Sequence, residues 1–487
     1  MRKTKIVCTI GPASNAEGML SSMMDAGMNV ARLNLSHGDF EGHRRCMEIL
    51  RRLRDEKKMP LAIMLDTRGP EVRTGTLENK EPVRLKAGER FVLTTEQVSG
   101  TVERVSVSYP VFCQYIHAGD RVLIDDGLLE LAVVNVDGPD VVCKVIEGGE
   151  LGERKGISVP GTNLNLSFLT ELDRRDIVRG IEQGVDLIAA SFVCKADDVR
   201  DLRKLLEDNG GEGIGILAKI ESHAGVDNFD EILREADGIM VARGDLGVEM
   251  PMEEVPVLQK EFIRKCNAAG KPVITATQML DSMMRNNRPT RAEVNDVANS
   301  VLDGTDAVML SGETASGKHP LEALRTLARI AEYVGRRADY RLAHAEASPE
   351  GDSVTSAVSY ACSSMADDLN AAALVTPTRS GKTARSVAKF RPRCVQVATT
   401  DVFRVYHQLA MVWGVHPLYV RPSDSTDALM REAVGAVVKA GFAGKGDLVI
   451  LSAGVPVGVS GGTNLIKAQV VGDESWSNQA KGGPEHA

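Results

Sequence analysis

The sequence predicts an α/β chain: a (β/α)8 TIM barrel with an inserted all-β lid domain, followed by a C-terminal open α/β domain. Three observations carry this. Eight short apolar runs, at 4–10, 29–35, 60–66, 186–192, 214–220, 238–242, 272–277 and 306–310, recur with helical or inserted segments between them. Polar residues gather at the C-terminal ends of these runs, the face on which such a barrel keeps its active site. Between Glu71 and about Phe168 the pattern changes to short alternating segments split by Gly, Asp and Pro, with no helical period. Residues 1–69 and 169–344 then form the barrel and 70–168 the lid, inserted after the third strand over the mouth. Residues 345–472 form the C-terminal domain and 473–487 a polar, disordered tail.

In chain order, the strand at 5–10 is closed by Gly11-Pro12 and followed by a helix over 16–26. The next strand lies in NVARLNLSHG. There Arg32, Asn34 and Ser36 recur at spacing two and share a face, and Val30, Leu33 and Leu35 are assigned to the other. One cation and two neutral oxygen donors suit an anion and a cation held close together; a solvated edge strand is the plainer alternative. A helix over 41–57 leads to the third strand, which ends in Asp66-Thr67-Arg68-Gly69-Pro70. After Thr170 come helices over 197–208, 255–269 and 321–336. AEASPEGD at 345–352 reads as a linker. Beyond it, helices at 353–369, 382–390, 401–413 and 425–441 alternate with strands at 371–376, 394–399, 415–420 and 447–452.

The chemistry concentrates in 213–249. Its two strands end in charge, Lys219 and Glu221 on the first, Arg243 and Asp245 after the second. Lys219 and Glu221 are two apart and share a face on a strand. A fixed cation beside two carboxylates suggests a divalent metal next to a positive charge, suited to a transferring phosphoryl group or an enolate. A simple Lys–Glu ion pair at a strand end is the plainer reading.

Bulk composition narrows the function. The 487 residues are 43% hydrophobic and 26% charged, which excludes global disorder, and a net charge of −9 argues against a general nucleic-acid binder. Eight scattered cysteines without a CxxC pair, and nine histidines without HExxH, argue against a zinc site or a disulfide framework, so a cytoplasmic location is expected. The basic start has too short an apolar run for a signal peptide, and no run approaches the about 18 residues that span a membrane. Thr376-Pro377-Thr378-Arg379-Ser380-Gly381-Lys382-Thr383 tempts toward a P-loop, but Thr376 stands where its first glycine belongs. What remains is a helix start with hydroxyls and a lysine, able to cradle an anion.

The run KPVITATQMLDSMMRNNRPTRAEVNDVANSVLDGTDAVMLSGET (271–314), with TKIVCTIGPAS, NVARLNLSHG, LDTRGPEVRTG, ILAKIESHAGV and MVARGDLGVE, closely resembles the pyruvate kinase family through barrel and lid, and more loosely in the C-terminal domain. The resemblance implies phosphoryl transfer from phosphoenolpyruvate to ADP with Mg²⁺ (or Mn²⁺) and K⁺, by a homotetramer. It implies Lys219 against the phosphoryl group and enolate oxygen, Arg32 on the phosphate, Glu221 and Asp245 on Mg²⁺, and the backbone of Gly244 and Asp245 on the substrate carboxylate. Thr277 would contact that carboxylate and help relay a proton. Asn34, Ser36, Asp66 and Thr67 would bind K⁺, and Asn34, Arg73 and Lys155 the nucleotide. Members that need no K⁺ carry lysine where this chain has Glu71, so K⁺ dependence is implied. TRSGKTA resembles the effector-phosphate loop, which implies a phosphorylated activator at Thr378, Ser380, Lys382 and Thr383. The loop at 453–464 lacks the aromatic and arginine side chains that accompany fructose bisphosphate in animal-type relatives, and a sugar monophosphate or AMP fits as well. Two other readings stand beside this one: a lyase on a similar metal–enolate barrel, and a non-catalytic metabolite sensor.

Overall fold

A computed structural model describes residues 1–162, 164–338, 353–423, 425–455 and 462–472. The expected linker at 345–352 and tail at 473–487 lie outside the described residues. Eight parallel strands, Lys5–Thr9, Val30–Asn34, Ala62–Asp66, Leu187–Ala190, Gly215–Ile220, Gly238–Ala242, Val273–Ala276 and Ala307–Leu310, pair in chain order. The last returns to the first, with Lys5 opposite Ala307 and Cys8 opposite Leu310, so the barrel closes. Several strands stop before their apolar runs or charged ends do. Ser36 lies beyond the second strand, Ser191 and Phe192 beyond the fourth, and Glu221 beyond the fifth. These residues leave the ladder at the C-terminal end of the barrel.

Strand period decides the two cores. Val7, Val30, Met64, Leu217 and Met240 fill the barrel, while Ile6, Ala31, Leu33, Leu35 and Leu65 pack outward beneath the helices. Val30 therefore shares the inner face with Arg32 instead of lying opposite it with Leu33 and Leu35, as parity on one strand requires.

The interior is closed at its N-terminal end from outside the barrel: Met411, 3% exposed, packs with the inner-face residues. The helix expected over 401–413 is correspondingly shorter, Phe403–Gln408, followed by a 3-10 turn at Leu409–Met411. Gly414, at φ +68°, then turns the chain into the strand Val415–Tyr419. The seam is polar around this plug. Buried Lys5 donates to Val415 O at 2.6 Å, Gln408 donates to Asp186 O at 2.9 Å and Gly213 O at 2.8 Å, and Arg391 pairs with Asp306 at 3.2 Å.

The insertion is built on a seven-stranded sheet in the order Val72–Arg73, Gly156–Ser158, Arg121–Ile124, Leu129–Asp137, Asp140–Glu147, Arg90–Thr94, Arg104–Ser106, with a two-stranded sheet of Val83–Leu85 and Gly149–Leu151. Its outer strands meet: Gly75 N donates to Ser106 O and Ser108 N to Arg73 O, both at 2.8 Å. The sheet thus curls on itself around Phe91, Phe112, Val122, Leu131 and Val141, all fully buried. The chain enters it through Gly69, at φ +74°, where a Cβ would sit 2.6 Å from the Phe192 ring.

The C-terminal sheet runs Val415–Tyr419, Val395–Thr400, Ala373–Pro377, Leu448–Ala453 and Leu465–Val470. The four expected strands are parallel. The fifth, antiparallel at the edge, was not expected, because its half-exposed LIKAQV sequence lacks a clear apolar alternation. Among the described residues no helix is long and apolar enough to cross a membrane.

Replacing Met411 with Ala should destabilise the barrel by about 2–3 kcal/mol through the lost burial and the cavity left behind. Urea unfolding followed by far-UV CD would read this as a lower midpoint; an unchanged midpoint would mean that the plug is not a structural support.

Candidate active site

Barrel closure brings four charged side chains from three strand ends into contact at the mouth, with Ser191 from a fourth. Lys219 Nζ donates to Asp66 Oδ1 at 3.1 Å and Ser191 Oγ at 2.6 Å, and lies 2.8 Å from Glu221 Oε1. Arg32 Nε donates to Asp66 Oδ2 at 2.5 Å, and its Nη1 to Thr9 Oγ1 at 2.9 Å. All of these side chains are buried. Burial opposes the charge of Lys219, but Asp66 and Glu221 outweigh it and hold its pKa above the usual lysine value. Burial likewise opposes the Asp66 charge, and Arg32 and Lys219 overcome it, holding that carboxyl below its usual range.

Glu221 behaves differently. Burial pushes its carboxyl up to about 7; Lys219 pulls it down, and the charge of Asp245 raises it again. Its Oε2 also accepts from Phe192 N at 2.6 Å, and Phe192 sits at φ +56°, a strained conformation for a bulky residue. Glu221 is thus paired with Lys219 and also under the charge of a second carboxylate, Asp245. Two carboxylates are a donor set that Mg²⁺ uses at phosphate sites, where substrate oxygens complete its coordination. No group of three or more His, Cys, Asp or Glu forms a closed protein cage among the described residues.

Asn34, Ser36, Asp66 and Thr67 lie together beside this cluster. Asn34 and Asp66 are partners in the strand register, Asn34 Oδ1 accepts from Ser36 N at 3.1 Å, and Thr67 Oγ1 accepts from Ser191 N at 3.0 Å. These are hard oxygen donors with one formal charge, a set that suits a monovalent cation.

On the far side, Thr277 is a β-branched residue at φ +68°, and Gln278 follows at +54°. Thr277 Oγ1 accepts from Gly244 N at 2.8 Å. The strain is held by Arg243, which the sequence had placed near the site without a role. Its Nε donates to Ala276 O at 3.1 Å and its Nη2 to Thr277 O at 2.7 Å, while both terminal nitrogens grip Asp296 at 2.7 and 2.8 Å. Ser191 was also visible only as a polar strand end, yet it bridges Lys219, Asp66 and the Thr67 carbonyl.

Arg73 and Lys155 stand side by side at the base of the lid. Gly156 pairs with Arg73, and Thr74 N donates to Lys155 O at 2.8 Å. Neither cation is bare: Arg73 Nε donates to Glu71 Oε2 at 2.6 Å, and Lys155 lies 2.9 Å from Asp125. The residues expected to bind an effector are far from this mouth, at the start of the helix Lys382–Ala388. Ser380 and Lys382 are exposed there, whereas Thr383 is buried and accepts from Thr463 Oγ1 at 3.0 Å. Residues 456–461 of the companion loop lie outside the described residues.

The Arg243 clamp predicts that Arg243→Lys, which keeps one charge but cannot hold two carbonyls and a carboxylate at once, lowers turnover by about tenfold or more. Steady-state kinetics beside a thermal melt would check this; wild-type turnover in the variant would show that Thr277 needs no clamp.

The arrangement — fixed ammonium, guanidinium, two carboxylates and a lid that carries Arg73 and Lys155 at its base — matches what comparison with known proteins finds. The model of the pyruvate kinase barrel domain matches residues 1–324, and that of the pyruvate kinase alpha/beta domain residues 356–469, so the likeness extends fully into the C-terminal domain. The pyruvate kinase of Geobacillus stearothermophilus is 50% identical over 97% of this chain and 81% of its own length. That of Clostridium acetobutylicum is 46% identical over 97% of this chain and all of its own. The crystal structure of a pyruvate kinase from Cryptosporidium parvum superposes with a TM-score of 0.91 at 40% identity, covering 96% of both chains. A match at this level across barrel, lid and C-terminal sheet leaves neither the lyase nor the sensor reading standing: the chain belongs to the pyruvate kinase family.

Proposed function

We propose that the family's reaction, phosphoryl transfer from phosphoenolpyruvate to ADP giving pyruvate and ATP, takes place on the Lys219 cluster. The observation that carries this is the ammonium held on Asp66, Ser191 and Glu221. A cation fixed before the substrate arrives stabilises charge on the transferring phosphoryl and on the enolate oxygen without reorganising in the transition state. Arg32, anchored by Asp66 and Thr9, bears on the phosphate. The N–H groups of Gly244 and Asp245 receive the substrate carboxylate. Gly244 N already meets a hydroxyl oxygen, that of Thr277, so the same hydroxyl is in place to touch the carboxylate and to help pass a proton to the enolpyruvate carbon.

Glu221 and Asp245 would hold Mg²⁺ or Mn²⁺, which supplies positive charge shared between substrate oxygens. Asn34, Ser36, Asp66 and Thr67 would hold K⁺, and Asn34, Arg73 and Lys155 the nucleotide phosphates. A phosphorylated activator would bind at Thr378, Ser380, Lys382 and Thr383; the buried Thr383–Thr463 bond means that Thr383 contributes only if this loop opens. A homotetramer in the cytoplasm completes the reading.

Pyruvate formation from phosphoenolpyruvate and ADP, with Mg²⁺ and with or without K⁺, and then with sugar phosphates and AMP, tests the assignment. Activity should require both cations and rise with one phosphorylated compound. Lys219→Met should lower turnover by about a thousandfold or more, as loss of a preorganised charge does, with phosphoenolpyruvate binding retained. A loss of only a few-fold would remove the role given to Lys219. Glu71→Lys, assayed at saturating ADP because it also frees Arg73, should relax the K⁺ requirement; unaltered K⁺ dependence would refute the monovalent-site reading.

A further inference from the structure

The tip of the lid hairpin between Arg121–Ile124 and Leu129–Asp137 is unusual. Asp125, Asp126 and Gly127 all lie at positive φ, at 56°, 55° and 82°. Leu128 N closes the turn on Asp125 O at 3.1 Å. A tight hairpin turn of this kind needs positive φ at its two central residues, here Asp126 and Gly127. It does not need it at Asp125. Asp125 instead has its N–H bonded to Gly156 O at 3.1 Å and its carboxylate on Lys155, with Nζ 3.0 and 2.9 Å from the two oxygens.

The lysine read above as a nucleotide-phosphate contact is thus already held by a carboxylate of its own domain. That partner fixes where the ammonium stands before any ligand arrives. An incoming ADP phosphate must compete with Asp125 for Lys155. The pair is part-exposed, at 37% and 23%. Pairs of this exposure are weak enough for a ligand anion to displace.

We propose that Asp125 is a positioning residue for the nucleotide step: before ADP binds it holds Lys155 on the lid, and it yields Lys155 to the nucleotide phosphate as ADP enters. This rests on the reading of Lys155 as a nucleotide contact. Glu71 holds Arg73 in the same way, but Glu71 also bears on the K⁺ question, so Asp125 is the cleaner residue to test.

The test is a double-mutant cycle on the ADP KM at saturating phosphoenolpyruvate and Mg²⁺, in full-length wild type, Asp125→Asn, Lys155→Met and the double variant. Asn has the shape of Asp and tolerates the left-handed conformation, so the fold is kept. Asp125→Asn should lower the ADP KM about threefold, the scale of one part-exposed ion pair, and change kcat less than KM. Lys155→Met should raise the KM about tenfold, the scale of one charge-assisted contact. In the Lys155→Met background, Asp125→Asn should have no further effect. An unchanged or raised KM in Asp125→Asn would overturn the proposal. So would an effect that persists without Lys155, since it would then be a general field of the lid. If Lys155→Met leaves the ADP KM unchanged, the nucleotide reading itself fails and the proposal falls with it; an intact Lys155 effect with a silent Asp125 removes the proposal alone.

Discussion

Lys219 is charged in a place where burial disfavours charge, and the mouth of the barrel is built around that. An isolated ammonium at such a depth would lose its proton or its place. Asp66 and Glu221 keep it protonated, Ser191 fixes its direction, and Arg32 balances the second oxygen of Asp66. Removing one partner from a network of this kind leaves an uncompensated buried charge, which costs several kcal/mol (about 3–5). The contacts come from strands two, three, four and five, so no local segment can form them. Only the closed barrel can, with Asn34 registered against Asp66 and Ala189 against both Asp66 and Leu217.

The two ends of the barrel divide the work. At the C-terminal end, polar side chains leave the strands and strain accumulates, at Phe192, Thr277 and Gln278. Such strain persists where the surroundings over-determine it, here through Glu221 for Phe192 and through Arg243 with Asp296 for Thr277. At the other end, Met411 fills the interior, and the Arg391–Asp306 and Lys5–Val415 contacts tie in the C-terminal sheet. The packed plug thus lies at the bottom and the buried charges at the top, the face on which barrels of this class keep their active sites. The same seam makes any movement of the C-terminal sheet a movement against the barrel floor.

Most of the fold was legible in the sequence because buried strands and amphipathic helices write their period locally. All eight barrel strands, the change of period in the lid and the four parallel C-terminal strands could be read that way. The edge strand Leu465–Val470 could not, since a half-exposed edge has no apolar stripe to show. At the site, Lys219 and Glu221 were legible as charge ending a buried strand. Their meeting with Asp66 was not, because it depends on closure across 153 residues of chain. Arg243 was visible as a charge, but its work depends on Asp296, 53 residues away. The ion pair at the lid base was equally hidden: Lys155 and Asp125 are 30 residues apart, and a left-handed Asp125 cannot be told from an ordinary turn residue. Val30 was misassigned by parity alone, an error that counting along one strand would have avoided.

The central claim is that the charge which stabilises the transfer is in place before the substrate arrives. The most direct measurement is a crystal structure of the protein with Mg²⁺, K⁺ and oxalate, a planar dianion that stands in for the enolate of pyruvate. The account predicts that Lys219 Nζ stays on Asp66 and Ser191, within about 0.5 Å of its position without ligand, while also touching an oxalate oxygen. A lysine that has left Asp66 to reach the oxalate, or that points away from it, would contradict the account.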